Sequence, residues 1–132
     1  MDLSTPERAL LAIYDAYRSG DLDAAIACKD FQTEARIALR ELGVDTPADS
    51  TVLNEMAATL EAAFRAEAAT TGLPSLAGVD TEIMGTRQLE PGLVVVAERW
   101  HHPDGSLTVG EVYVAETRSG WRVLHPVEET AG

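Results

Sequence analysis

Two tyrosines one helical turn apart, Tyr14 and Tyr17, are the obvious phenols of this 132-residue chain. A phenol shielded from water can donate to developing negative charge, and a carboxylate beside it can accept a proton. A separate candidate set stands in the later half: Glu98, Trp100, Glu111 and His125 lie on segments of alternating hydrophobicity, and the inside of a curved sheet could bring these four together. A carboxylate beside His125 would then be an acid–base pair. The competing reading is structural. Tyr14 and Tyr17 share the spacing of Leu10 and Ile13, one apolar helical stripe on which aromatic residues fill the core, while Trp100 and Trp121 fill it from the other side and Glu98, Glu111 and Glu116 sit at strand margins.

Other chemistries are poorly provided for. His101 and His102 are neighbours in a strand pattern and must point to opposite faces, so they do not share a metal easily. Cys28 is the single cysteine, which excludes an internal disulfide, and its place after Ala25, Ile26 and Ala27 reads as an inert helix residue. The chain carries no Gly-rich phosphate loop, Cys-rich metal pattern, nucleophile elbow or internal repeat. No metal or cofactor is expected.

The elements that must position these residues divide at one place. Helix signals all precede Gly72, and strand signals all follow Gly78. Thr5 caps a first helix with Pro6 at its first position, Gly20 stops it, and Asp21 caps a short second helix with Leu22, Ala25 and Ile26. Asp30 caps a third, with Phe31, Ala35, Ala38, Leu39 and Leu42 on its buried side, until Gly43 and Asp45-Thr46-Pro47 interrupt it. A fourth begins at Asp49 or Ser50 and runs to about Ala69, burying Leu53, Met56, Ala57, Leu60 and Phe64 and leaving a Glu61–Arg65 pair outside. At the corner between the second and third helices, Lys29 suits the helix dipole and Phe31 anchors the turn.

Four strands follow, Thr81 to Leu89, Leu93 to His101, Leu107 to Thr117 and Trp121 to Val127, joined by turns short enough for hairpins. Helices then strands predict an α+β fold, with N-terminal helices packed on one face of a C-terminal curved antiparallel sheet of about four strands and the other face free for a ligand or partner. The third and fourth strands carry apolar residues on both faces, so neither face is plainly solvent. An uncovered face showing Trp100, Val112 or Val114 would favour a homodimer over a monomer. The length fits one domain over 1–132, with a helical part at about 5–71 and a sheet part at about 79–128.

Charge narrows the partners. With 22 acidic against 10 basic residues the formal net charge is −12, spread along the chain, which disfavours nucleic acid and anionic lipid and steers basic partners in. Solubility alone is the plainer reading of the same charge. There is no long unbroken apolar stretch, and Met1 to Glu7 lacks the basic start and apolar core of a signal peptide, so a cytoplasmic location is expected.

The helix ending in Ser19-Gly20-Asp21-Leu22, the second helix turned back on it, and the terminal Gly120-Trp121-Arg122-Val123-Leu124 resemble the nuclear transport factor 2-like cone fold over nearly the whole chain. A narrower set is similar to the bacterial immunity proteins of that fold: Cys28-Lys29-Asp30-Phe31 with Glu34-Ala35-Arg36, Leu93-Val94-Val95-Val96 with Glu98, His102-Pro103-Asp104-Gly105, and Gly120 through Val127. That resemblance implies a non-catalytic binder in the bacterial cytoplasm that neutralises a cognate polymorphic toxin domain, and the charge of −12 points to a basic one. The acids expected to meet it are Glu55, Glu61, Glu82, Glu98, Glu111 and Glu116. The alternative is an enzyme of the ketosteroid isomerase or polyketide cyclase type, with Tyr14, Tyr17, Trp100, Tyr113 and His125 about its pocket. There the resemblance is incomplete, because the segment from Asp30 to Leu42 reads as helix and not as the early strand that would present the base.

Overall fold

The computed structural model describes residues 1–45, 47 and 50–126, the last two by their backbone alone. Thr46, Asp49 and Val127, named above, lie outside the described residues. Four helices come first: α1 (Pro6–Ser19), α2 (Leu22–Ala27), α3 (Phe31–Glu41) and α4 (Thr51–Thr71). Four strands follow: β1 (Asp80–Glu90), β2 (Leu93–His101), β3 (Leu107–Thr117) and β4 (Gly120–Pro126). They form one antiparallel meander in the order β1-β2-β3-β4, so the expected α+β architecture is the one observed. No helix among the described residues is long and apolar enough to cross a membrane.

The helix starts follow from side-chain caps that satisfy otherwise orphaned amides. Thr5 Oγ1 accepts from Arg8 N, Asp21 Oδ1 from Ala24 N and Asp30 Oδ1 from Thr33 N, each at 3.1 Å, and Ser50 Oγ accepts from Leu53 N at 3.4 Å. Gly20 takes φ 67°, the left-handed conformation that lets α1 stop and the chain turn at once into α2. Gly120 is needed for a different reason. A Cβ there would lie 2.7 Å from the carbonyl oxygen of Leu3, which accepts the Trp121 amide and ties the N-terminal segment to the β3–β4 turn.

Register decides what each sheet face sees. Val94, Val96, Glu98 and Trp100 of β2 alternate onto the face that meets α1, alongside Val112 and Val114 of β3 and Val123 of β4. Leu10, Ile13 and Tyr14 close over these valines and form the main core. Trp100, Val112 and Val114 therefore do not form an exposed patch: Val112 and Val114 are buried under α1 and Trp100 is half-buried against it.

The outer face is not wholly free either. Val95, Ala115 and Leu124 are 1%, 3% and 1% exposed, and Ile37, Arg40 and Glu41 of α3 share a groove with Leu93 and Tyr113, so α3 covers that end. The other end is open, with Leu107 and Val109 exposed. Leu42, expected on the buried side of α3, is 74% exposed because α3 ends at Glu41 and the next residue turns outward. α3 and α4 share a smaller core of Ala35, Leu39, Leu53 and Ala57, flanked by Phe31, Met56 and Leu60.

Candidate functional site

Among the described residues Glu98 is the one charged residue buried as a whole, and Tyr14 is why it can be there. α1 carries Tyr14 onto the inner sheet face, where its hydroxyl donates to Glu98 Oε2 at 2.5 Å. A buried carboxylate is tolerable only with such a partner. Burial and the adjoining carboxylate push the Tyr14 hydroxyl far above the ordinary phenol range, so it stays protonated and remains the donor. The Trp100 ring meets Tyr14 edge-on at 5.6 Å, and Tyr17 tilts against Tyr14 at 6.2 Å. Tyr17 is also raised, to about 12, chiefly by burial.

This constellation unites three of the five residues expected about a pocket, Tyr14, Tyr17 and Trp100, and adds the carboxylate that the pocket reading lacked. It does not include the others. Tyr113 pairs with Val95 on the outer face, and the His125 side chain lies outside the described residues. Glu111 also faces outward, where it accepts from Arg87 at 3.2 Å, so it does not converge with Glu98 and Trp100. The pair itself is closed off: Tyr14 is 5% and Glu98 6% exposed. A groove of about 1120 Å3 between the end of α1, the end of α4 and residues 72–80 is lined by Tyr17 but by neither of them.

Glu98 is thus a correction to the surface acids. The strand alternation Val94, Val96, Glu98, Trp100 places it with the core residues, and that signal was present in the sequence. The remaining five acids are not gathered into one patch. Glu55 and Glu61 lie on α4, where Glu61 holds Arg65 at 3.3 Å; Glu82 pairs with Arg99 at 3.5 Å and His101 at 3.2 Å; Glu111 holds Arg87; and Glu116 is exposed near the end of β3.

The two neighbouring histidines point apart as their strand positions require. His101 reaches Glu82, and His102 Nε2 lies 2.7 Å from Thr108 Oγ1. Among the described residues no group of three or more His, Cys, Asp or Glu side chains could hold a metal ion. Cys28 is fully buried, and that burial raises its thiol, which suits an inert core residue.

A second buried polar group went unread in the sequence. Lys29, expected as a helix end near the dipole, has a side chain only 8% exposed. Its ammonium donates to the Leu124 carbonyl at 2.5 Å and to Glu34 at 3.4 Å, between the rings of Phe31 and Phe64 at 5.4 and 5.3 Å. Burial lowers its pKa while Glu34 opposes that shift. Asp30 and Phe31 do serve as cap and corner residue.

No protein-family model matches the chain, and no curated protein matches it. Among solved structures, the chain is similar to a Campylobacter jejuni protein provisionally named an NTF2-like transpeptidase, at 17% identity over 92% of this chain and 98% of that one, with a TM-score of 0.46.

Proposed function

We propose that this chain is a non-catalytic immunity protein that binds and neutralises a cognate polymorphic toxin domain of basic character in the bacterial cytoplasm. One observation carries the reading: most of the arginines are already held by carboxylates of the chain, while the acid surplus is left on the outside. Tyr14 takes up Glu98, and Arg8, Arg18, Arg40, Arg65, Arg87 and Arg99 all lie 2.7–3.7 Å from surface carboxylates. With those cations neutralised in place, exposed acids such as Glu55, Glu67 and Glu116 set the sign of the outer field. A field of that sign speeds the capture of a basic domain and rejects nucleic acid and anionic membrane. The short segments that resemble the immunity proteins supply the class of partner; no cofactor is called for, and the binder acts as a monomer or homodimer.

The test is affinity purification of the tagged chain from its own cells, followed by expression of any stoichiometric partner with and without it. The expected partner is a basic domain that arrests growth alone and is harmless with the chain. A partner that is harmless alone, or no protein partner at all, contradicts the proposal.

A second reading rests on the Tyr14–Glu98 contact, because a phenol donating to a carboxylate in apolar surroundings is the arrangement a pocket enzyme of the isomerase or cyclase type requires. A small molecule released on denaturation of the purified chain, and absent from Tyr14→Phe, would favour it.

A further inference from the structure

The open end of the outer sheet face carries an apolar spot. Leu107 and Val109, two residues apart on β3 and so on one face, are 57% and 62% exposed. Charged side chains of the same face surround them in opposite pairs. Arg99 is the cross-strand partner of Val109 and lies 3.5 Å from Glu82, while Glu111, two residues along β3, lies 3.2 Å from Arg87.

Two acids and two arginines cancel, with His101 beside Glu82 counted neutral. The whole surplus of −12 is therefore carried outside this patch. That distribution selects among partners. A basic domain is drawn to the acid surplus and gains nothing from a neutral patch, and an anionic one is repelled by the rest of the molecule. Two copies of this chain repel each other in most orientations, and least where the patch of one meets the patch of the other. A two-fold axis makes that meeting self-complementary, because each copy offers both signs of charge around an apolar centre.

We propose that this patch is the contact between two copies of the chain, a two-fold pairing of outer sheet faces centred on Val109 that leaves the acidic remainder of each copy outward. With two large apolar residues from each copy the contact is smaller than a standard interface, so the association is weak and depends on concentration. Salt distinguishes it from the capture of a basic partner. Screening weakens attraction between opposite charges, but it also weakens the repulsion between two chains of −12, so the pairing of copies tightens under the conditions that slow the capture.

The test is sedimentation equilibrium of the purified full chain over a concentration series at two salt levels. The expected result is a monomer–dimer equilibrium whose association constant rises at least about threefold from about 0.05 to 0.5 M salt. Val109→Glu and Val109→Lys move the net charge in opposite directions, yet each should weaken the dimer by about tenfold or more, because each places an unpaired charge at the centre of the contact. Val52→Glu, at an exposed apolar residue of α4, should weaken it by less than about threefold. Circular dichroism checks that the variants fold, and Leu107→Asp repeats the comparison if a Val109 variant does not. A monomer at every concentration and salt, a dimer that dissociates as salt rises, a dimer that either Val109 variant leaves intact, or one that Val52→Glu weakens as much as Val109→Glu overturns the inference. Each of those results leaves the capture of a basic partner standing.

Discussion

The two buried ionisable clusters, Tyr14–Glu98 under α1 and Lys29–Glu34 at the α2–α3 corner, solve the same problem differently. In the first, a neutral phenol donates to a carboxylate inside a single core, and aromatic rings close the site from water. In the second, a charged ammonium lies between two cores, and its partners come from three elements, α3, α4 and β4. The difference teaches that one cluster fills the interior while the other fastens it. The first cluster keeps the Trp100 indole N–H buried without a hydrogen-bond partner, so it is the surface charge, and not a wholly satisfied interior, that carries the functional reading.

The comparison is broken most strongly at Lys29. Removing one partner of a buried ion pair costs about 3–5 kcal/mol, so Lys29→Met should lower stability by that amount in urea unfolding. At Tyr14 the loss is smaller. Tyr14→Phe leaves the Glu98 carboxylate without its donor and should cost about 1–3 kcal/mol, with a double mutant that also replaces Glu98 by Leu recovering part of it. Equal losses at the two positions would dissolve the distinction.

Alkaline titration sharpens it, because the clusters carry opposite signs. Lys29 has its folded pKa below the unfolded 10.5, so the unfolded chain binds more protons in that window and stability rises as pH approaches 10.5. Tyr17 is raised from 10.0 to about 12 and Tyr14 is raised as well, so the folded chain holds more protons and stability falls as pH climbs from 10 through 12. Unfolding followed against pH should show a maximum near the crossing, with Tyr17→Phe flattening the high side alone. At the surface the effect is least: Glu61→Ala should change stability by only about 0.2–0.5 kcal/mol, read from the same urea curves.

How much of this was legible in the chain depends on the range of the interaction. The caps at Thr5, Asp21, Asp30 and Ser50 and the hairpin turns are local, and each is where the residue types put it. The burial of Glu98 was half legible, since alternation places it with Val94 and Val96, but its partner Tyr14 sits 84 positions earlier on a helix whose docking no pattern fixes. Lys29 gave no local sign at all. Its ordinary role at a helix end is sufficient within the segment, and its burial arises only when β4, 95 residues away, passes beneath the corner. The coverage of the outer face by α3 was missed for the same reason, because an amphipathic helix shows that it packs and not on what.

The measurement that bears most directly on the immunity reading is the association rate of the chain with its copurified partner as ionic strength rises. The acidic-binder account predicts a rate that falls by about tenfold or more from low to physiological salt, and that falls further in Glu55→Lys/Glu116→Lys while folding is unchanged. A rate indifferent both to salt and to these charge reversals would contradict it.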